Sequence, residues 1–118
     1  MTKYIITGGA GFIGSHLIEK LLKFKKKVIV LDNLSTGRIE NIKKFLHKIK
    51  FIKCDISKKG KWVKEFKGKT YVIHLASVAD IVPSIEYPEK YFESNVKGTL
   101  NVLNASKQSK IIKFIYSA

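Results

Sequence analysis

Hydrophobic residues occur along this chain in two alternating arrangements. Short apolar runs are typical of strands buried on both faces of a parallel sheet, whereas apolar residues that recur every three or four positions are typical of amphipathic helices. The short runs predict five strands, at residues 3–7, 28–31, 50–55, 70–75 and 111–117. The recurring pattern predicts helices at residues 12–24, 39–49, 57–69 and 89–107.

Each predicted helix has an apolar face that would pack against the sheet. In the first helix this face contains Ile13, Leu17 and Leu21, joined by Ile18 and Leu22. The other faces are as follows: Ile39, Ile42, Phe45, Leu46 and Ile49 in the second helix; Trp62, Val63 and Phe66 in the third; Tyr91, Asn95, Val96, Leu100, Val102 and Leu103 in the fourth. Residues 76–88 interrupt the pattern, because the two prolines of the chain prevent a regular helix from running through them.

Strands that alternate with helices predict an α/β fold, a Rossmann-type parallel sheet of about five strands with flanking helices. Right-handed connections give the strand order 3-2-1-4-5, with ligands expected beyond the strand carboxyl ends near strands 1 and 4. Lys50 and Lys53 suit an exposed edge, because charge there discourages pairing with other chains. No repeat or linker divides the 118 residues, so we predict one domain at 1–118.

Three glycines lie where the first strand turns into the first helix: Gly8, Gly11 and Gly14. A Cβ atom at Gly8 or Gly11 would hold a ligand away from the backbone, and one at Gly14 would push the helix away from the sheet. The first N–H groups of the helix point into the resulting gap. The turn therefore predicts an anion-binding site.

Asp32 lies 18 residues after Gly14, at the end of the second strand. A carboxylate at this position accepts hydrogen bonds from both hydroxyls of an adenosine ribose and repels a 2′-phosphate. The pattern therefore favours NAD over NADP. An alternative remains open, in which the glycines serve packing and Asp32 caps the next turn.

The formal charge of +14 raises the question of nucleic-acid binding. Residues 20–69 hold 17 basic and 4 acidic side chains, and 22 of the 23 basic residues of the chain are lysines. A single arginine, Arg38, has the fork geometry favoured for base or phosphate recognition. Without a nucleic-acid motif, this charge predicts no specific nucleic acid as a partner, and it would also attract an anionic dinucleotide.

The remaining composition excludes several classes of protein. One cysteine, Cys54, allows no internal disulfide, and the three scattered histidines His16, His47 and His74 provide no clustered metal ligands. We predict that Cys54 is a small buried hydrophobe rather than a nucleophile. The chain has no run of about 18 apolar residues and no signal-peptide pattern, which predicts a cytoplasmic protein without a membrane span.

Five motifs occur in order along the chain: Thr7-Gly8-Gly9-Ala10-Gly11-Phe12-Ile13-Gly14, Asp32-Asn33-Leu34-Ser35-Thr36-Gly37, Asp55-Ile56, His74-Leu75-Ala76 and Asn95-Val96-Lys97-Gly98-Thr99. Together they resemble the motifs of the extended short-chain dehydrogenases/reductases. Within that family the chain is most similar to the N-terminal part of nucleotide-sugar epimerases and dehydratases of the UDP-glucose 4-epimerase type. The resemblance implies an NAD-dependent isomerase or lyase.

The resemblance also implies a role for each motif in holding NAD. Backbone N–H groups of Phe12 and Ile13 would face the pyrophosphate. The other positions would act as follows: Asp32 and Asn33 on the adenosine ribose, with Ser35, Thr36 and Gly37 completing the ribose-side loop; Asp55 and Ile56 beside the adenine; Leu75, Ala76 and Ser77 on the nicotinamide side, with Val78 and Ala79 behind them; and Asn95 tying the long helix to strand 4. Structural roles remain open for several of them, such as a helix cap at Asp55 or strand packing at Leu75 and Ala76.

In the family that the chain resembles, a tyrosine takes the proton of a sugar hydroxyl while hydride passes to NAD, and hydride then returns to the other face of a 4-keto intermediate. That tyrosine acts with a lysine four residues later and with a serine or threonine just beyond strand 5. No Tyr-x-x-x-Lys spacing occurs in these 118 residues, although Tyr116 and Ser117 lie near the expected chemistry. We therefore predict no catalytic residue here.

These observations lead to the expectation that the chain is the front part of an epimerase-like enzyme, from a truncated reading frame or as an excised domain. It would lack the substrate domain and would at most bind NAD, with a nucleotide-sugar as partner only in a full-length parent. The alternative is a noncatalytic dinucleotide-binding module, or a subunit that a partner chain completes. An uncovered apolar face on strand 5 would favour self-association.

Overall fold

A parallel sheet of five strands forms the centre of the computed structural model, which describes residues 2–76, 85–109 and 111–116. The strands are β1 (Lys3–Thr7), β2 (Lys27–Asp32), β3 (Lys50–Lys53), β4 (Thr70–His74) and β5 (Ile111–Tyr116). Their order is β3-β2-β1-β4-β5, and every neighbouring pair is parallel. The predicted fold class and strand order are confirmed.

Helical segments connect the strands, as the hydrophobic pattern predicts, but only the first crossover helix is regular. Helix α1 (Phe12–Lys23) follows the glycine turn, while the segments at Ile39–Asn41, Lys43–Lys48 and Lys61–Phe66 are 3₁₀ helices. The helices predicted at 39–49 and 57–69 are therefore present as shorter 3₁₀ segments. Ile39, Ile42 and Phe45 recur every three residues, which matches the period of a 3₁₀ helix and keeps them on one side.

The last crossover is a continuous helical run over residues 88–107. It begins as α2 (Pro88–Phe92), widens into a π-helical turn at Glu93–Lys97 and continues as α3 (Gly98–Lys107). Pro88 occupies the first turn of α2, where its missing N–H group has no intrahelical role. The predicted helix at 89–107 is confirmed in its extent, and a π-helical turn interrupts its α-helical hydrogen bonding.

Two apolar clusters pack on opposite faces of the sheet, because successive residues of each strand point to opposite sides. Ile5 belongs to the cluster that includes Trp62, Phe66 and Val102, and its neighbour Ile6 belongs to the other cluster. The second cluster is covered by Ile18 of α1 and by Ile42. The result is three layers, with α1 and the segment at Lys43–Lys48 on one face and α3 with Lys61–Phe66 on the other.

Two of the predicted apolar faces differ from those observed. In α1, Ile13 is exposed, and the buried positions are Gly14, Ser15 and Ile18. In the last helical run the exposed residues include three that were expected to be buried: Val96, Leu100 and Leu103. Val96, Leu100 and Leu103 follow one another at spacings of four and three residues, so they lie on one side of the helical run, and that side is exposed. The face that α3 buries consists of Gly98, Val102, Ala105 and Ser106.

The two edges of the sheet have different surfaces. The β3 edge carries the exposed side chains of Lys50 and Lys53, in agreement with the prediction. At the other edge, β5 exposes Ile112, Ile115 and Tyr116. Among the residues that the structure describes, no helix is long and apolar enough to cross a membrane.

Candidate functional site

The turn between β1 and α1 needs glycine at its first position for two reasons. Gly8 has a φ angle of +74°, a region that side chains other than glycine rarely adopt. A Cβ atom on Gly8 would also lie 2.8 Å from the backbone nitrogen of Ala76, where the chain leaves β4. The sequence-based expectation assigned this clearance to a ligand, whereas the structure places the exit of β4 there.

The other two glycines differ sharply from each other in their surroundings. A Cβ atom on Gly14 would lie 2.6 Å from both the carbonyl oxygen of Gly8 and the Cα atom of Gly9. Gly14 thus allows α1 to pack against the turn. A Cβ atom on Gly11 would meet only the Gly8 oxygen, at the ordinary contact distance of 3.4 Å. Gly11 therefore leaves space on the side of the turn that faces the cleft described below.

The N-terminus of α1 carries backbone donors without a side-chain cap. Gly11 occupies the cap position and has no side chain, and the first turn contains no acidic residue. The first N–H groups of a helix have no intrahelical partner, and its N-terminus carries a partial positive charge. The backbone of Phe12 and Ile13 lies here, while their side chains are exposed. The geometry suits an anion.

Asp32 joins the end of β2 to both neighbouring loops. Its Oδ2 atom accepts a hydrogen bond from the N–H group of Ala10 at 2.9 Å, and its Oδ1 atom accepts one from Leu34 at 2.8 Å. The side chain is almost completely buried and lines the cleft. Asp32 therefore performs the capping role that the sequence left open. Since each carboxylate oxygen has a second lone pair, it can also accept a ligand hydroxyl.

The loop after β2 is held close to the glycine turn. Gly37 passes so near that a Cβ atom would lie 2.9 Å from the carbonyl carbon of Ala10. The carbonyl oxygen of Ala10 in turn accepts hydrogen bonds from Arg38 N and Asn41 Nδ2. Asn33 Oδ1 accepts one from Ser35 N at 3.0 Å. Sequence reasoning missed Ala10 as the anchor of this loop, because its hydrogen-bond partners lie 22 to 31 residues away in the chain.

The two residues of the Asp55-Ile56 motif lie differently with respect to the cleft. Asp55 Oδ1 accepts hydrogen bonds from the backbone N–H and the hydroxyl of Ser57, at 2.9 and 2.6 Å, so it caps the turn that follows it. Ile56 lines the cleft, and its carbonyl oxygen accepts a hydrogen bond from Asn101 Nδ2 at 2.8 Å. Asn101 thereby connects α3 to the cleft wall.

A cleft at the carboxyl ends of the strands brings together ten of the sixteen residues that the sequence assigns to cofactor binding. These are Gly8, Gly11, Asp32, Asn33, Ser35, Thr36, Gly37, Ile56, Leu75 and Ala76. Five of the assigned residues do not line it: Phe12, Ile13, Gly14, Asp55 and Asn95. Ser77, with Val78 and Ala79, lies outside the described residues.

Leu31 and Cys54 also line the cleft, and sequence reasoning did not assign them to it. Burial, with smaller contributions from Asp32 and Asp55, raises the pKa of the Cys54 thiol to about 11. The thiol therefore stays protonated at neutral pH, which agrees with the prediction that it is not a nucleophile. The sequence does indicate that Cys54 lies near Asp32, because Cys54 directly follows β3 and Asp32 ends β2, and the carboxyl ends of parallel strands lie at the same end of the sheet.

His16 and His74 differ in their surroundings. His16 is exposed on α1, and His74 is buried at the end of β4. Burial lowers the pKa of His74 to about 4, so its ring is neutral at pH 7. Within the described ranges, no group of three or more His, Cys, Asp or Glu side chains could hold a metal ion.

Comparison with known proteins shows which family has this arrangement. A model of the NAD-dependent epimerase/dehydratase family matches residues 4–118. The chain belongs to this family. The resemblance stated from the sequence motifs is therefore confirmed.

Relatives within the NAD-dependent epimerase/dehydratase family include archaeal and bacterial proteins. The chain is 39% identical to a putative UDP-glucose 4-epimerase of Methanocaldococcus jannaschii, over 97% of this chain and 37% of that protein. It is 37% identical to a UDP-N-acetylglucosamine 4-epimerase of Methanobrevibacter ruminantium solved with UDP-N-acetylmuramic acid, over 98% of this chain and 37% of that one, with a TM-score of 0.90. The UDP-glucose 4-epimerase of Thermus thermophilus, solved with NAD, is 40% identical over 97% of this chain and 36% of that one, with a TM-score of 0.84.

The chain thus spans a little more than a third of the length of each of these three relatives. The family description names NAD as the cofactor, as the sequence predicts.

Proposed function

We propose that this chain binds NAD in the cleft at the carboxyl ends of β1, β2 and β4, as the cofactor-binding N-terminal portion of a nucleotide-sugar epimerase of the UDP-glucose 4-epimerase type. The proposal includes the domain assignment, with residues 1–118 as one NAD-binding Rossmann-type portion. The main observation in its support is that the open glycine turn and the Asp32 carboxylate line the same cleft.

The two ends of the cleft suit different parts of the dinucleotide. The pyrophosphate would lie at Gly11 and the N-terminus of α1, where the N–H groups of Phe12 and Ile13 meet no side-chain cap. The adenosine ribose would lie at Asp32 and Asn33, with the adenine beside Ile56. When bound, NAD supplies a hydride acceptor, and the residues of this chain orient it.

Two further groups of cleft residues would lie beside other parts of NAD. Ser35, Thr36 and Gly37 would close the ribose side, and Leu75 and Ala76, with Ser77 after them, would line the nicotinamide side. We assign Asn95 a supporting role in the helical run rather than contact with NAD. Asp55 would act through the turn that it caps, because its carboxylate bonds Ser57.

Asp32 supports the preference for NAD over NADP. Its carboxylate is nearly buried and already accepts two backbone hydrogen bonds, so it cannot turn away from a ligand without releasing both loops. A 2′-phosphate placed there would bring two negative charges together with little solvent between them.

Chemical-shift mapping with labelled protein tests this placement. Addition of NAD is expected to shift backbone signals of Gly11, Phe12, Asp32 and Ile56, with little change at Asn104 on the far side of α3. Shifts confined to the lysine-rich 3₁₀ segments would contradict the placement.

The same experiment with a short DNA duplex tests the proposal that the basic charge provides no specific nucleic-acid site, since counterion-driven binding weakens steeply with added salt.

Epimerisation requires groups that this sequence does not contain, because none of its tyrosines is followed by a lysine four residues later. We therefore propose that the chain does not turn over a nucleotide-sugar by itself and that such a substrate binds only in a longer protein. A turnover assay with NAD and UDP-sugars is expected to show no epimerisation, and detectable epimerisation would contradict this.

The exposed apolar side chains of β5 favour a second possibility, a subunit that a partner chain completes. Ile112, Ile115 and Tyr116 are exposed at an open sheet edge, where further polypeptide would bury them. Mixing this chain with a separately produced C-terminal portion of a UDP-glucose 4-epimerase tests the idea. Formation of a stable complex with epimerase activity would support it, and two separate species without activity would oppose it.

A further inference from the structure

Hydrogen bonds on both sides of the His74 ring connect β1 to the last helical run. His74 Nδ1 lies 2.6 Å from Thr7 Oγ1, and His74 Nε2 lies 2.8 Å from Thr99 Oγ1. Thr99 Oγ1 also donates a hydrogen bond to the carbonyl oxygen of Asn95 at 2.7 Å. We call these three side chains the Thr7–His74–Thr99 network.

The hydrogen positions in the network follow from the number of donors. A threonine hydroxyl has one hydrogen, and that of Thr99 is used by the Asn95 carbonyl. Thr99 must therefore accept a hydrogen bond from His74 Nε2–H. Since a neutral imidazole carries one N–H group, His74 Nδ1 is the acceptor for the hydroxyl hydrogen of Thr7.

The same assignment fixes what the Thr7 oxygen can do on its other side. With its hydrogen directed to His74, Thr7 Oγ1 accepts hydrogen bonds from the backbone N–H groups of Leu75 and Ala76, both at 3.1 Å. Leu75 N is also bonded to the Thr7 carbonyl oxygen at 3.0 Å. The acceptor for the Ala76 N–H group is therefore the hydroxyl oxygen of Thr7.

These two N–H groups belong to the wall of the cleft. Leu75 and Ala76 both line it, and Ala76 passes 2.8 Å from where a Cβ atom of Gly8 would lie. A small movement of this segment would therefore close or open the space beside the glycine turn. The ring of His74 is itself 1% exposed and lies against Phe114 and Tyr116, so it does not touch the cleft.

We propose that His74 is a positioning residue of the cleft: as the Nε2–H tautomer it orients the Thr7 hydroxyl, and the Thr7 oxygen then holds Leu75 and Ala76 in the geometry that accepts the nicotinamide half of the dinucleotide. The proposal rests on the NAD binding proposed above. Neither His74 nor Thr99 contacts the cofactor in this account.

Nuclear magnetic resonance of the unmodified chain provides the first test, and it needs neither a variant nor NAD. Nitrogen shifts and couplings of the His74 ring at pH 7 are expected to show a hydrogen on Nε2 and none on Nδ1. Hydrogen exchange at the Ala76 amide is expected to be protected. A ring with a hydrogen on Nδ1, or an unprotected Ala76 amide, would overturn the proposal.

Variants of Thr7 provide the second test, with Thr70→Val as the matched control. Thr70 is another fully buried strand threonine, but its hydroxyl donates to the Gly68 carbonyl at the opposite end of β4. Thr7→Val is expected to speed exchange of the Ala76 amide and to weaken NAD binding, each by about tenfold, as for loss of one buried hydrogen bond. Thr7→Ser, which keeps the hydroxyl, is expected to restore both.

The ring itself is tested by His74→Asn and His74→Leu. Asparagine keeps an acceptor near the position of Nδ1, so this variant is expected to retain Ala76 protection, whereas the leucine variant is expected to lose it. Equal effects of Thr7→Val and Thr70→Val on Ala76 exchange and on NAD affinity would overturn the proposal. If the unmodified chain shows the expected tautomer and exchange but binds no NAD, the proposed function fails while the positioning of the wall stands.

Discussion

Asp32 Oδ2 accepts a hydrogen bond from the N–H group of Ala10 at 2.9 Å, which ties the end of β2 to the glycine turn that follows β1. The same carboxylate holds Leu34 through its other oxygen. One side chain therefore shapes two sides of the cleft before any ligand arrives. A residue usually considered for its contact with a ribose is here also part of the structure of the site.

Substitution of Asp32 by Asn is expected to reduce both stability and NAD affinity. An amide presents only one acceptor to the two N–H groups, and it removes the charge that favours ribose hydroxyls. We expect a loss of about 1–3 kcal/mol in the free energy of unfolding, with NAD binding weakened at least tenfold and NADP weakened less. Glu93→Gln is the control, because its carboxylate forms an exposed ion pair with Lys97 on the last helical run. Urea unfolding and calorimetry measure the two quantities, and equal results for both variants would contradict the role of Asp32.

Alanine at Gly11 and at Gly14 should separate binding from folding. At Gly14 the added methyl group would overlap backbone atoms 2.6 Å away, so we expect Gly14→Ala to destabilise the fold by roughly 3 kcal/mol or more. At Gly11 the methyl group would meet only one atom at 3.4 Å and would project toward the cleft. Gly11→Ala is therefore expected to keep its stability within about 0.5 kcal/mol and to lose NAD affinity. Unfolding and binding curves that change together in both variants would show that the two positions are equivalent.

Stability should fall as the pH is lowered from 7, because of His74. Its pKa is lowered from 6.5 to about 4 by burial, so the unfolded chain binds a proton in a range where the folded chain does not. The contribution of His74 to the free energy of unfolding is therefore highest above pH 6.5, and it decreases as the pH falls toward 4. From these two values we expect a loss of roughly 2 kcal/mol between pH 7 and pH 5.

Urea unfolding at several pH values measures this loss. The His74→Asn variant should not show it, whereas His16→Gln should, because His16 is exposed on α1. An unchanged pH dependence in His74→Asn would assign the effect to other groups.

Cys54 should react slowly with alkylating reagents in the folded chain. Raising its pKa from 9.0 to about 11 reduces the thiolate fraction at pH 8 by about a hundredfold. We expect iodoacetamide to label the native chain at least that much more slowly than the urea-unfolded chain, and NAD to slow it further because Cys54 lines the cleft. Mass spectrometry follows the reaction. Labelling at equal rates in both states would contradict the burial of this thiol.

Self-association through the β5 face is also expected. Ile112 and Ile115 are 48% and 45% exposed on an edge strand whose backbone can pair with another chain. Sedimentation velocity should show reversible association that increases with concentration and decreases in Ile115→Lys. A monomer at every concentration, with no difference between the two proteins, would mean that this face does not associate.

The strand order and the glycine turn could be predicted because their signals are local. A β-branched run such as Val28–Leu31 and three glycines at three-residue spacing report directly on a buried strand and a tight turn. The π-helical turn could not be predicted in this way. Directly after this turn, Gly98 packs so closely against Ile56 that an added Cβ atom would lie 3.1 Å from the Ile56 side chain, and these two residues are 42 positions apart in the chain.

The same reasoning explains which parts of the cleft were missed. The spacing from Gly14 to Asp32 indicates a ribose-binding carboxylate, but nothing near Gly8 indicates that Ala76 passes beside it. Likewise, His74 is an isolated histidine in the sequence, and its role depends on Thr7 and Thr99, which lie 67 and 25 residues away. Contacts between distant segments require the fold before they can be recognised.

Calorimetric titration of the chain with NAD and with NADP tests the central claim most directly. The account predicts saturable binding of NAD at one site, with NADP at least about tenfold weaker because of its 2′-phosphate next to Asp32. Absence of NAD binding, or NADP binding as tight as that of NAD, would contradict it.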